Sequence, residues 1–169
     1  YRQAFDVLMK QAQLPTEDAG IPDYNASRLH AELSLFSEWF LPRLLNVTVS
    51  ESIMARFTAL SEQLIISALE QPQVWVHRDF HSRNIMVREA DLGIIDFQDA
   101  VVGPITYDPV SLLKDCYIRW PRDQQLAWLD IYYDQVQSMQ DPPKAEAVSL
   151  SNEPTDASRS DLSVGTRKA

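Results

Sequence analysis

The chain of 169 residues is short of glycine, cysteine, long apolar runs and positive charge. Its four glycines stand at 20, 93, 103 and 165, and none falls in a G-x-G-x-x-G or G-x-x-x-x-G-K-[ST] pattern. Loops that cradle phosphate on backbone amides need such spacings, because only glycine lets the backbone come so close. No such loop is encoded here. The single Cys116 excludes an internal disulfide and fits a reducing compartment. No apolar run approaches the ~18–20 residues of a membrane span, and Tyr1-Arg2-Gln3 opens without an initiator Met or a signal-peptide pattern. A cytoplasmic location is therefore expected, for a piece of a longer chain. The formal charge of −9 argues against a nucleic-acid surface. It is compatible with binding magnesium or a cationic substrate, although most of it serves solubility.

What is present is enough for one globular domain: 45% hydrophobic residues and sixteen aromatics. Apolar periodicity predicts a helix over 1–13, a loop broken by Pro15, Gly20 and Pro22, and a second helix over 26–41. Leu29, Leu33, Phe36 and Phe40 form the expected core stripe of that helix, and Pro42 is expected to end or kink it. Thr48-Val-Ser-Glu51 reads as a capping box opening a helix to about residue 70. Its predicted inward stripe is Ile53, Phe57, Leu60, Leu64 and Ala68. Residues 99–107 read as an irregular turn. Asp108-Pro109 reads as the start of a helix to about 120, and 122–139 as a further helix with Leu126, Leu129, Tyr133 and Val136 inward. Composition changes after residue 140. Residues 141–169 hold no aromatic residue and are expected to form a disordered tail beyond a domain spanning 1–140.

Residues 74–99 carry the chemistry. Val74-Trp-Val-His-Arg-Asp79-Phe-His-Ser-Arg-Asn84-Ile-Met-Val87 is followed by a turn and by Leu92-Gly-Ile-Ile-Asp96-Phe-Gln-Asp99. The apolar runs 85–87 and 92–95 predict a small β-hairpin. A hairpin brings its ends together, so Asp79 and Asn84 at its entry converge with Asp96 at its exit. A carboxylate that can take a proton from a hydroxyl, beside two hard oxygen donors for Mg²⁺, is the equipment of phosphoryl transfer.

The string His77-Arg78-Asp79, then Asn84, then Asp96-Phe97, is similar to the catalytic and Mg²⁺ loops of protein kinases. His81-Ser82-Arg83 and Gln98 depart from that pattern. With Asp96-Phe-Gln-Asp-Ala-Val-Val-Gly-Pro-Ile-Thr-Tyr-Asp108, the sequence more closely resembles the aminoglycoside phosphotransferase and choline kinase group. Within that group it resembles the bacterial anomeric sugar kinases of cell-wall recycling, over about residues 1–135. The resemblance implies a mainly helical α+β fold with a small β-hairpin, the C-terminal lobe of a protein-kinase-like fold. It implies ATP and Mg²⁺ as cofactors, and transfer to a sugar hydroxyl such as the anomeric one of N-acetylmuramate or N-acetylglucosamine. Asp79 would be the base, and Asn84 and Asp96 the metal ligands. His77, Arg78, Arg83, Asp99 and Asp108 would support the loop or the phosphates. Glu38, in Leu-Phe-Ser-Glu-Trp-Phe, and His81 would reach the sugar. The nucleotide-covering lobe is expected to be missing.

Other readings stay open at this point. The chain could be a non-catalytic lobe acting as a binding module, or could phosphorylate an aminoglycoside. His77-x-Asp79-x-His81 on a strand could also bind Zn²⁺ as in a hydrolase. No nucleic-acid or membrane partner is expected, and the sequence is silent on oligomeric state.

Overall fold

The computed structural model describes residues 1–17, 20–89 and 91–140. The tail expected at 141–169 lies outside the described residues. Helix α1 (Arg2–Ala12) is the centre of the packing. Its Ala4, Phe5, Leu8 and Met9 are buried at i, i+1, i+4 and i+5, the spacing of one helix face. They meet Val74, Val76, Phe80, Val101, Ile105, Leu112, Leu113, Tyr132 and Val136 in one core. Phe5 and Phe80 are fully enclosed, and each such ring contributes about 1.5–3 kcal/mol by burial.

Two small antiparallel sheets carry the loops of interest. Strand β1 (Gln73–Val76) pairs with β4 (Val101–Pro104), Val76 facing Val101, and β2 (Ile85–Val87) pairs with β3 (Leu92–Ile94), Ile85 facing Ile94. The hairpin is therefore where the sequence predicts it. The stretch expected as an irregular turn at 99–107 instead contains β4. Its Gly103-Pro104 suggests a turn, but the strand is buried on both faces and so shows no alternation. Pro22 and Tyr24 add a bridge to its outer edge through the amide–carbonyl pairs of Val102.

The helices follow the expected order with different faces and ends. Helix α2 (Ala26–Leu35), capped by Asn25, runs into a π-helix over Phe36–Leu44 that passes straight through Pro42. Proline removes one donor and crowds the carbonyl four residues back, and the wider winding relieves the crowding. The stripe expected in the core splits: Leu29 packs partly buried against it and Leu33 is half-buried, while Phe36 is 44% and Phe40 42% exposed, stacked on each other, with Phe36 also against Phe57. Helix α3 (Glu51–Leu69) is capped by Ser50, whose hydroxyl accepts from the Ile53 amide, not by Thr48. Glu51 is then its first residue and cannot close a capping box. The inward row of α3 is Met54, Phe57, Ser61, Ile65 and Ala68, while Ile53, Leu60 and Leu64 are exposed. A serine in the middle of that row hid it from a reading by hydrophobicity.

Helix α4 (Tyr107–Leu113) follows Thr106, whose side chain makes no cap bond, and stops seven residues short of Trp120, so Asp108 is an internal residue and not the cap. Helix α5 (Arg122–Gln140) buries Tyr132 and Val136, with Trp128, Ile131 and Met139 partly covered, while Leu126, Leu129 and Tyr133 are exposed. The phenol of Tyr132 donates to the Ile105 carbonyl, which ties that face to the end of β4.

Gly103 sits where β4 meets Tyr24. A Cβ there would lie 3.2 Å from the Tyr24 Cβ, 3.3 Å from its Cδ1 and 3.4 Å from Val76 Cγ2. Tyr24 is buried, with its phenol bonded to Glu32, so it cannot yield. Gly103→Ala is expected to lower the unfolding free energy by roughly 1–3 kcal/mol, read from urea denaturation. An unchanged midpoint would show that the strand can shift.

Candidate active site

The polar residues of 77–99 are held at one end of the β2–β3 hairpin. The Asn84 side chain donates from Nδ2 to the Asp79 carbonyl at 2.9 Å, and the Ile95 amide donates to the Asn84 carbonyl at 3.1 Å. The loop turns back on itself through His81 N to Asp79 O and Asn84 N to His81 O, both 3.0 Å. A carbonyl can only be met by the amide nitrogen, so the Asn84 Oδ1 takes no hydrogen bond from a described residue. The adjoining Asp96 is exposed and in the left-handed region, φ 72°. That backbone conformation costs a non-glycine residue roughly 1–2 kcal/mol. Asp79 is half-buried, and its carboxylate takes no hydrogen bond from any described residue. Asp79 and Asn84 are thus joined, and Asp96 follows directly on the residue bonded to Asn84.

Two carboxylates hold this loop from behind. Buried Asp108 accepts from the amides of His77 (2.7 Å) and Arg78 (3.0 Å) and from Gln11 Nε2 (3.4 Å). Arg78 is itself left-handed, φ 75°, which is how consecutive amides converge on one anion. Burial pushes Asp108 up from its ordinary 3.8 to about 6, against the opposing pull of those donors. Asp115 accepts from the Ser82 amide at 2.8 Å and the Tyr117 amide at 2.7 Å. Burial raises its pKa, but the hydrogen bonds more than offset this and hold it below the usual range. His77 is buried, with Nε2 on the Ile95 carbonyl at 3.0 Å, and burial lowers its pKa. The imidazole is therefore a neutral strut between the loop and β3.

Neither loop arginine is free. The Arg78 guanidinium pairs with Glu32 of α2, whose other oxygen takes the Tyr24 phenol, and it lies 5.3 Å over the Tyr24 ring. Arg83 is exposed and stacked 3.7 Å over Tyr117, against whose ring His81 packs edge-on at 5.2 Å. Asp99 is exposed on the turn beyond Asp96. Glu38 is not at this loop. It lines a separate cavity of about 170 Å³ with His30, Met54, Phe57 and Ser61. The α2 carboxylate that does reach the loop is Glu32. Glu32, Tyr24, Gln11, Asp115 and Tyr117 were not assigned from the sequence. Only Asp115 carried a local signal, an Asx turn onto the amide two residues on.

The donor set decides which metal fits. Asn84 Oδ1 and Asp96 offer two hard oxygens, and among the described residues no three His, Cys, Asp or Glu side chains are grouped to hold an ion. Mg²⁺ is commonly held by one or two protein oxygens, with phosphates and water completing its shell. Structural and catalytic Zn²⁺ needs three or four protein ligands. The His77-Asp79-His81 zinc reading finds no such grouping of ligands among the described residues.

Comparison with known proteins gives a family match over residues 1–148, to the phosphotransferase enzyme family. A curated relative from Pseudomonas putida, N-acetylmuramate/N-acetylglucosamine kinase, is 42% identical over 146 residues, covering 86% of this chain and 43% of the relative. The protein of the same name from Pseudomonas aeruginosa is 41% identical over 134 residues, covering 79% and 39%. The chain thus spans less than half the length of these relatives. A solved structure, the GDP complex of wild-type aminoglycoside 2'-phosphotransferase-IIIa, aligns with a TM-score of 0.48 at 22% identity, over 85% of this chain and 56% of that one.

A carboxyl whose folded pKa lies above its unfolded value favours the fold while protonated, and that stability is lost as pH rises through the folded pKa. For Asp108 the window runs from 3.8 to about 6 and amounts to roughly 3 kcal/mol. His77, lowered by burial, works in the opposite sense as it titrates. The test is therefore the difference between parent and Asp108→Asn in urea unfolding from pH 4 to 7. The parent is expected to lose stability relative to the variant as pH rises through this window. Parallel profiles would refute the shift.

Proposed function

The chain belongs to the phosphotransferase enzyme family, and from that premise we propose that it is the catalytic-loop lobe of an ATP- and Mg²⁺-dependent sugar kinase. Its acceptor is the anomeric hydroxyl of N-acetylmuramate or N-acetylglucosamine. The observation that carries this reading is the pair of bonds joining Asn84 to Asp79 and to Ile95, the residue before Asp96, at one end of the hairpin, with the Asp79 carboxylate and Asn84 Oδ1 left uncommitted. The choice of sugar is supported by relatives named as kinases of those two sugars, which align over most of this chain.

In this reading Asp79 accepts a hydrogen bond from the sugar hydroxyl and orients its oxygen toward the γ-phosphorus. As the new O–P bond forms and the bond to the ADP oxygen breaks, Asp79 takes the hydroxyl proton. Asn84 Oδ1 and Asp96 would hold Mg²⁺, which when bound neutralises phosphate charge. Asp108 and Asp115 keep the loop in register without touching the reactants. Arg78 serves the same purpose through Glu32, and does not meet phosphate. Domain 1–140 would need a nucleotide-covering partner lobe. The exposed Met86 (51%), Val87 (84%), Ile95 (47%) and Phe97 (70%) form an apolar rim around the site that such a lobe would cover.

The test is ADP release from Mg-ATP with N-acetylmuramate, N-acetylglucosamine and an aminoglycoside, on this chain and on a fusion carrying a family N-terminal lobe before Tyr1. Turnover is expected in the fusion, on the acetylated sugars. A folded, ATP-binding fusion that turns over neither sugar would favour a binding module, and turnover confined to the aminoglycoside would replace the acceptor. In an active fusion, Asp79→Ala is expected to reduce kcat at least a thousandfold with unchanged circular dichroism. A loss under tenfold would remove Asp79 as the base.

A further inference from the structure

The segment joining α4 to α5 presents two different chemistries. Asp115 and Tyr117 grip the loop at Ser82, His81 and Arg83. Lys114, Arg119 and Arg122 instead line a pocket of about 470 Å³, together with Trp120, Pro121 and Gln125. In a chain of net charge −9, three cations within nine residues line one cavity. None of the three forms an ion pair with a described residue. Of the two carboxylates in and beside the segment, Asp115 is occupied by two amides and Asp123 stands in the first turn of α5. The wall is fixed in advance. The Trp120 indole donates to the Tyr1 hydroxyl and sits edge-on to Trp128 at 5.1 Å, while Gln125 Nε2 donates to the Trp120 carbonyl at 2.8 Å.

We propose that this pocket is a second ligand site that takes a sugar phosphate. The cations supply the charge-assisted hydrogen bonds that a phosphate dianion needs. The volume falls within the ~300–1,000 Å³ of small-molecule sites and exceeds what a bare oxyanion fills. Trp120 and Pro121 offer the apolar wall that a sugar ring packs against. Assigning the sugar rests on the function proposed above, because a sugar phosphate is that reaction's product. The anion part rests on the pocket alone. A ligand on Lys114 and Arg119 pulls on both ends of the Asp115–Tyr117 grip, so product bound here alters the loop that carries Asp79.

The test is an NMR titration of the full ¹⁵N-labelled chain, without ATP, with N-acetylglucosamine 1-phosphate, inorganic phosphate and N-acetylglucosamine. Expected are shifts at Lys114, Trp120 Nε1 and Gln125 with the sugar phosphate, at least tenfold weaker binding of inorganic phosphate, and none of the free sugar. Arg119→Gln with Arg122→Gln is expected to weaken the sugar phosphate at least tenfold. Lys114→Gln alone, expected to weaken it at least threefold, serves if the double variant fails to fold. Equal binding of inorganic phosphate, shifts confined to Asp79, Asn84 and Asp96, or unchanged affinity in the folded variants would overturn the proposal. No turnover is needed, so a kinase that fails the activity assay leaves this outcome readable, and the converse also holds.

Discussion

The site depends on one buried carboxylate. Asp108 gathers the amides of His77 and Arg78 and the side chain of Gln11. It thereby joins α4 and α1 to the point where β1 ends and the loop begins. Gln11 also donates to the Trp75 carbonyl, so the same helix fixes the strand and the anion. An anion in apolar surroundings costs stability unless its lone pairs are filled. The amides that fill them belong to the residues just before Asp79. Position and charge compensation are the same contacts.

Around that anchor the loop is held at several independent points. Asp115 takes the Ser82 amide, His77 reaches the Ile95 carbonyl, and Asn84 closes the loop on Asp79. Each bond contributes only about 0.5–1.5 kcal/mol net. Together they fix the chain at 77, 78, 82, 84 and 95, which leaves Asp79 little freedom. Two left-handed residues, Arg78 and Asp96, persist within this frame. Strain of this kind lasts only where the surroundings over-determine it.

Charge is arranged so that the arginines are spent on structure. Arg78 is held by Glu32 and Tyr24, and Arg83 by Tyr117. Beyond the loop, Lys114, Arg119 and Arg122 form no ion pair with a described residue. The face made by α2, the π-helix and α3 is unusual in the other direction, with Trp39, Leu44, Ile53 and Leu60 exposed. The two helices therefore bury little against the core, and most of the packing rests on α1, the β1–β4 pair, α4 and α5.

The sequence alone determined the order of the helices and the β2–β3 hairpin, at whose entry and exit Asp79, Asn84 and Asp96 stand. Those are local matters: a periodicity, a four-residue turn, and spacing along one short stretch. It did not determine which face of α2, α3 or α5 turns inward. A hydrophobicity pattern ranks faces by their apolar content, and here Ser61 lies in an inward row while Leu60 and Leu64 lie outside it. Nor did it reveal β4, a strand buried on both faces that shows no alternation. The partners of the loop were also out of reach. Glu32 lies 46 residues from Arg78, and Asp115 lies 33 from Ser82. No spacing rule links residues so far apart. Only the packing of α1 against β1 and α4 brings buried Asp108 onto the loop amides, because a desolvated anion must find donors wherever the tertiary structure places them.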